Sequence, residues 1–146
     1  MKVAEAGLGS SHPNLVTVLT NLGDLCNDLG RYGEAEDYFR RTLLILEKAG
    51  TNIDDSRLME VLHALSKTYM LQHDVTRAEP ILSRAAEIAR QNQNKPIMIP
   101  EILRILDDYS KVLRELRHTA EADNLHAEAQ LIRARTAFTV HVKPQW

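Results

Sequence analysis

NLVTVLTNLGDLCNDL, residues 14–29, sets Leu15, Val18, Leu19, Leu22, Leu25, Cys26 and Leu29 at intervals of three and four, the spacing of one apolar stripe on an α-helix. The same ladder returns 43 residues later as Leu58, Val61, Leu62, Leu65, Thr68, Tyr69 and Gln72. It comes again 44 residues after that as Ile102, Ile105, Leu106, Tyr109, Val112, Leu113 and Leu116. A stripe repeated at a near-constant period signals a solenoid, because each unit leaves apolar surface that only a neighbouring unit covers.

Working outward, six helices are expected in three pairs: 14–29 with 34–49, 56–72 with 77–91, and 101–116 with 120–138. Pro13 and Pro100 suit first-turn positions, where a missing N–H costs nothing, and Gly30 suits a left-handed helix end. Thr76 with Glu79 reads as a capping box, and Pro80 then argues for a helix that starts at Thr76. Each second helix opens on an alanine in register, Ala35, Ala78 and Ala122, small enough for close approach. Tyr38 and Phe39, Ile81 and Leu82, and Leu125 supply the bulk that fills the gap.

Composition excludes several classes of function. Eighteen Lys and Arg against twenty Asp and Glu leave a net charge of −2, so the basic field that phosphate backbones require is missing and nucleic acid is not the expected partner. Cys26 has no second thiol to pair with, which fits a reducing, cytoplasmic setting, and its place on the stripe makes it a small core residue. No secretory signal or membrane-length apolar run is present, so no membrane partner is expected. Glycine-rich phosphate loops, HExxH, CxxC and Gly-x-Ser-x-Gly are absent, and His12, His73, His118, His126 and His141 are scattered without ligand spacing. The expectation is therefore no catalytic residues, no metal and no cofactor.

These residues resemble the tetratricopeptide repeat, in the longer version found in kinesin light chains and light-chain-like bacterial proteins. His12-Pro13, Leu19-x-x-Leu22-Gly23, Gly30-Arg31-Tyr32-x-Glu34-Ala35-Glu36 and Tyr38-Phe39-Arg40-Arg41-x-Leu43 carry the likeness best. Leu65, Tyr69, Ala78-Glu79-Pro80 and Ala85 carry it in the second repeat, and Ala122 and Ala129 in the third, where His126 replaces the usual large apolar residue. The resemblance implies one all-α domain over 1–146, a right-handed α-solenoid of three hairpins at about 12–49, 55–92 and 99–138. Residues 1–10 then look like the remnant of a preceding repeat. His126, Gln130, Arg133 and Arg135 suit a terminal capping helix, and 139–146 form a short tail that either folds back, the favoured option, or hangs free.

In this family the first helix of each pair lines a concave groove. By that register the candidate partner-binding residues are Thr17, Thr20, Asp24 and Asn27, then Glu60, His63, Lys67 and Met70, then Arg104, Asp107, Lys111 and Arg114. The resemblance implies a non-enzymatic scaffold that binds a protein or peptide. The cations of the third set would draw the acidic part of an extended or helical peptide, and His63, four residues before Lys67, would make affinity depend on pH. The known clamp for a chaperone C-terminal carboxylate is not expected, because Thr20 and Asp24 stand where its cation and amide would be. The alternative is a structural or self-associating repeat segment whose exposed ends pair. Ile97-Met98-Ile99, an apolar run between Pro96 and Pro100, either packs beneath the end of the second pair, the favoured option, or forms part of a partner or self-association surface.

Overall fold

The computed structural model describes residues 13–50 and 54–141. Six α-helices are seen among them: α1 Pro13–Asp28, α2 Tyr32–Lys48, α3 Asp55–Leu71, α4 Val75–Gln91, α5 Ile99–Glu115 and α6 Thr119–His141. They pack as the hairpins α1/α2, α3/α4 and α5/α6, with α2 against α3 and α4 against α5, which is the stacked order of a solenoid. The expected 1–10 remnant and the end of the tail lie outside the described residues, whereas 139–141 continue α6.

Each hairpin turns at the same register position. Gly30, His73 and Arg117 all hold positive φ, at 71°, 57° and 65°. The turn is closed each time by a six-to-one hydrogen bond, from Arg31 N to Cys26 O, Asp74 N to Tyr69 O and His118 N to Leu113 O. Asp54 caps α3 through Ser56 N, and Asp74 caps α4 through Arg77 N. The expected capping box at Thr76 is thereby corrected: an aspartate two residues upstream takes the cap, and α4 begins at Val75.

Ala35, Ala78 and Ala122 are fully buried where second helix meets first. Phe39 lies so close to Gly23 that a Cβ added there would sit 2.6 Å from the ring, so only glycine fits beneath it. Of the expected gap-fillers, Phe39, Leu82 and Leu125 are buried, while Tyr38 and Ile81 are half-buried at the margin. In the loop before α5 the run divides: Met98 and Ile99 pack inward and Ile97 is 90% exposed, because the 3-10 turn Pro96–Met98 points successive side chains apart.

Candidate functional site

The concave face is lined by α1, α3 and α5. Thr17, Asp24, Glu60, Lys67, Arg104 and Lys111 stand open along it, two from each helix. The other six candidates lie roughly 60° further round their helices, toward the next hairpin. Thr20 and His63 are buried, Asn27, Met70 and Asp107 are half-buried, and Arg114 is exposed. Asn27 exchanges hydrogen bonds of 3.0 and 3.1 Å with Thr68, and Met70 packs against the core. Asp107 accepts from Arg133 at 2.6 Å, and Arg114 donates to Asp123 at 3.0 Å.

At the middle of the face a recess of about 240 Å³ brings together all three first helices, through Thr20, Asp24, Glu60, His63, Lys67 and Arg104. On one side lies a recess of about 360 Å³ that includes Thr17, Arg57 and Glu60. Another of about 370 Å³ is lined by Asp107, Lys111, Arg114, Ser110 and His126.

His63 forms the floor of the middle recess and is not open to a ligand as the sequence had suggested. Its Nδ1 lies 2.5 Å from Glu101 Oε1 and its Nε2 2.8 Å from Asp108 Oδ2. Both ring nitrogens face carboxylate acceptors, which requires two N–H groups and hence the imidazolium form. Burial opposes that charge, but the hydrogen bonds to Asp108 and Glu101 outweigh it and raise the pKa to about 9. Burial likewise opposes the charge on Glu101 and Asp108, yet their hydrogen bonds to His63 hold both below the usual carboxylate range. Arg104 donates to the other oxygen of Glu101 at 3.0 Å, and Lys111 to that of Asp108 at 3.1 Å.

Glu101 and Asp108 were missed in the sequence, although their seven-residue spacing puts them on one arc of α5. Across the recess, burial pushes Asp24 and Glu60 above the usual range; Lys67 counters this for Asp24, while Glu101 adds to it for Glu60. Among the described residues no three His, Cys, Asp or Glu side chains are grouped to hold a metal ion, and no helix is long and apolar enough to cross a membrane.

This stacking of two-helix units around a polar concave face has counterparts of known structure. A Podosopora anserina protein described as a kinesin light chain with nearly identical TPR-like repeats superposes with a TM-score of 0.69 over 92% of this chain, at 20% identity. A single-residue variant of that protein gives 0.71 over 93%, also at 20% identity. The fold is a tetratricopeptide-repeat solenoid. Residues 1–48 match the tetratricopeptide repeat family in sequence, and they contain the hairpin in which the motif is best kept. The chain spans 63% of the length of either solved structure. No curated protein matches it in sequence.

Proposed function

We propose that this tetratricopeptide chain is a non-enzymatic interaction module that takes an extended or helical peptide along its concave face. The observation that carries the reading is the polarity of that face. In the half toward α5, four cations, His63, Lys67, Arg104 and Lys111, surround two carboxylates, Glu101 and Asp108. In the half toward α1, the open carboxylates are Asp24 and Glu60, with the ion pair of Arg57 and Asp54 at the edge beside Glu60. Intrahelical pairing alone would cancel Arg104 and Lys111 against Glu101 and Asp108. The buried imidazolium removes that cancellation and restores the cationic end. A partner with its acidic part over α5 and a basic group near Asp24 and Glu60 matches this field.

The test uses two labelled peptides of one composition, one with acidic residues at its N-terminus and one with them at its C-terminus, titrated by fluorescence anisotropy. One order should bind saturably, and Lys67→Glu should abolish that binding while circular dichroism stays unchanged. Equal, weak and mutation-insensitive binding of both would refute the reading. The second reading, a self-associating segment, draws on the apolar side chains that α1 leaves exposed.

A further inference from the structure

Between successive second helices the two inter-hairpin seams have matching positions, which are filled in one seam and open in the other. The register set by Ala35, Ala78 and Ala122 carries Glu36, Arg40 and Glu47 of α2 onto Glu79, Ser83 and Arg90 of α4. It carries Arg77 and Arg84 of α4 onto Glu121 and Glu128 of α6. On the first helices that lie between them, Leu65 and Tyr69 of α3 become Tyr109 and Leu113 of α5.

In the first seam the chain fills this place itself. Glu36 accepts from Arg40 Nε at 2.8 Å and from the Tyr69 hydroxyl at 2.9 Å, and it pairs with Arg77. The Arg77 guanidinium lies 4.3 Å from the centre of the Tyr69 ring, and Glu47 pairs with Arg84 at 2.8 Å.

In the second seam both partners of the glutamate are replaced: Ser83 carries no charge and Glu121 reverses it. A recess of about 300 Å³ results, with Ser83, Glu121 and Glu128 on its walls and the buried Tyr109, Leu113 and Leu125 as its floor. Glu79, the counterpart of Glu36, accepts from the Tyr109 hydroxyl at 3.3 Å. Neither Glu79 nor Glu121 has a cation partner among the described residues, whereas Glu128 is paired with Arg90 at 3.3 Å. Burial, and after it the charges of Glu79 and Glu121, push the Tyr109 hydroxyl up against a hydrogen bond from Ser83, so the negative field reaches the floor. No lining residue is shared with the recesses described on the concave face.

We propose that this recess receives an arginine side chain of a partner protein, with the aliphatic stem on Leu113 and Leu125 and the guanidinium between Glu79 and Glu121. This goes beyond the groove reading and uses a different surface. A planar, weakly hydrated guanidinium suits an apolar floor between carboxylates better than a compact ammonium does. It is also the group that the first seam sets against Glu36. Arg90, the one cation in the lining among the described residues, is tied to Glu128 and Glu87. Nothing is left to hold the α-carboxylate of free arginine, and a guanidinium borne on a polypeptide brings no such charge.

The probe is N-acetyl-arginine N-methylamide, titrated into the isotope-labelled chain and followed by amide chemical shifts, with the neutral isostere N-acetyl-citrulline N-methylamide as control. Saturable shifts are expected at Ser83 and Asn124 with the arginine compound and none with the citrulline compound. Glu79→Gln with Glu121→Gln should weaken binding by about ten-fold, as loss of charge-assisted hydrogen bonds requires. Glu121→Arg, which restores the residue type of the first seam, should abolish it. Glu79 is half-buried and Glu121 exposed, so the fold should persist, and circular dichroism with melting would verify that. Absence of saturable shifts at the recess, equal shifts with citrulline, or affinity indifferent to the glutamate changes would overturn the proposal. So would tighter binding of free arginine, which would make the amino acid the ligand. Stronger binding after deletion of 142–146, which contain Lys143, would overturn it by assigning the recess to the chain's own tail. Asp24→Asn with Glu60→Gln, in the groove, should leave the shifts at Ser83 and Asn124 unchanged, which separates failure of this proposal from failure of the groove reading.

Discussion

The two seams between hairpins share one packing register but are held by different chemistry. Where the second hairpin meets the third, the buried position is His63, clamped between Glu101 and Asp108. Where the first meets the second, that position is Thr20, which turns back to donate to Val16 O at 2.8 Å, and the facing positions on α3 are Arg57 and Ala64. The first seam relies instead on Asn27 with Thr68 and on Tyr69, whose hydroxyl donates to Glu36 at 2.9 Å and accepts from Arg40 at 2.8 Å. Arg77 joins this group, lying over the Tyr69 ring and pairing with Glu36. Apolar packing can therefore repeat along a solenoid while polar chemistry is free to differ from seam to seam, provided each buried group finds a partner.

Removing the clamp should produce the largest effect. His63→Ala leaves two partly buried carboxylates facing one another and is expected to cost about 3 kcal/mol, with a fall in melting temperature of roughly 10 °C. Thr20→Val, at the matching place in the other seam, should stay within about 0.5 kcal/mol because its hydroxyl serves its own helix alone. Equal losses in the two variants would erase the contrast between seams.

Titration should separate the seams next. The folded pKa of His63, about 9, lies above its ordinary 6.5, so its contribution is complete below pH 6.5 and is lost as pH rises toward 9. Glu101 and Asp108 are shifted down, so theirs is present above the ordinary 4.5 and 3.8 and is lost as pH falls below them. The urea midpoint of the natural chain should decline between pH 6.5 and 9, and that of His63→Gln should be flatter over this range. Parallel curves would mean the imidazolium is not the group responsible.

A smaller change is expected from Tyr69→Phe in the first seam, about 1–2 kcal/mol in equilibrium denaturation, for hydrogen bonds to charged partners near the surface. The smallest should be a gain. His73→Gly and Arg117→Gly place glycine where the backbone already holds positive φ and should each raise stability by about 0.5–1 kcal/mol, whichever seam lies nearby.

Much of the helical frame was legible in the sequence because burial and helical period leave the same record. The ladder from Leu15 to Leu29 placed α1 within a residue or two, and Ala35, Ala78 and Ala122 marked the close approaches. Local capping was less legible, since Asp74 and Thr76 are both competent caps and backbone geometry chose between them. The concave face was read in part. Positions such as Asp24, Lys67 and Lys111 are open, but Thr20 and His63 fall where one helix turns under the next.

By itself the sequence determined the class of fold, its three-unit repetition and the direction each helix faces, because these follow from spacing along one chain. Tertiary structure alone decided which charges meet. His63 is separated from Glu101 by 38 residues and from Asp108 by 45, and only stacking brings these groups within hydrogen-bond reach. The protonation of the histidine and the pairing of Glu101 and Asp108 depend on what lies across a seam, and a helical period carries no record of that.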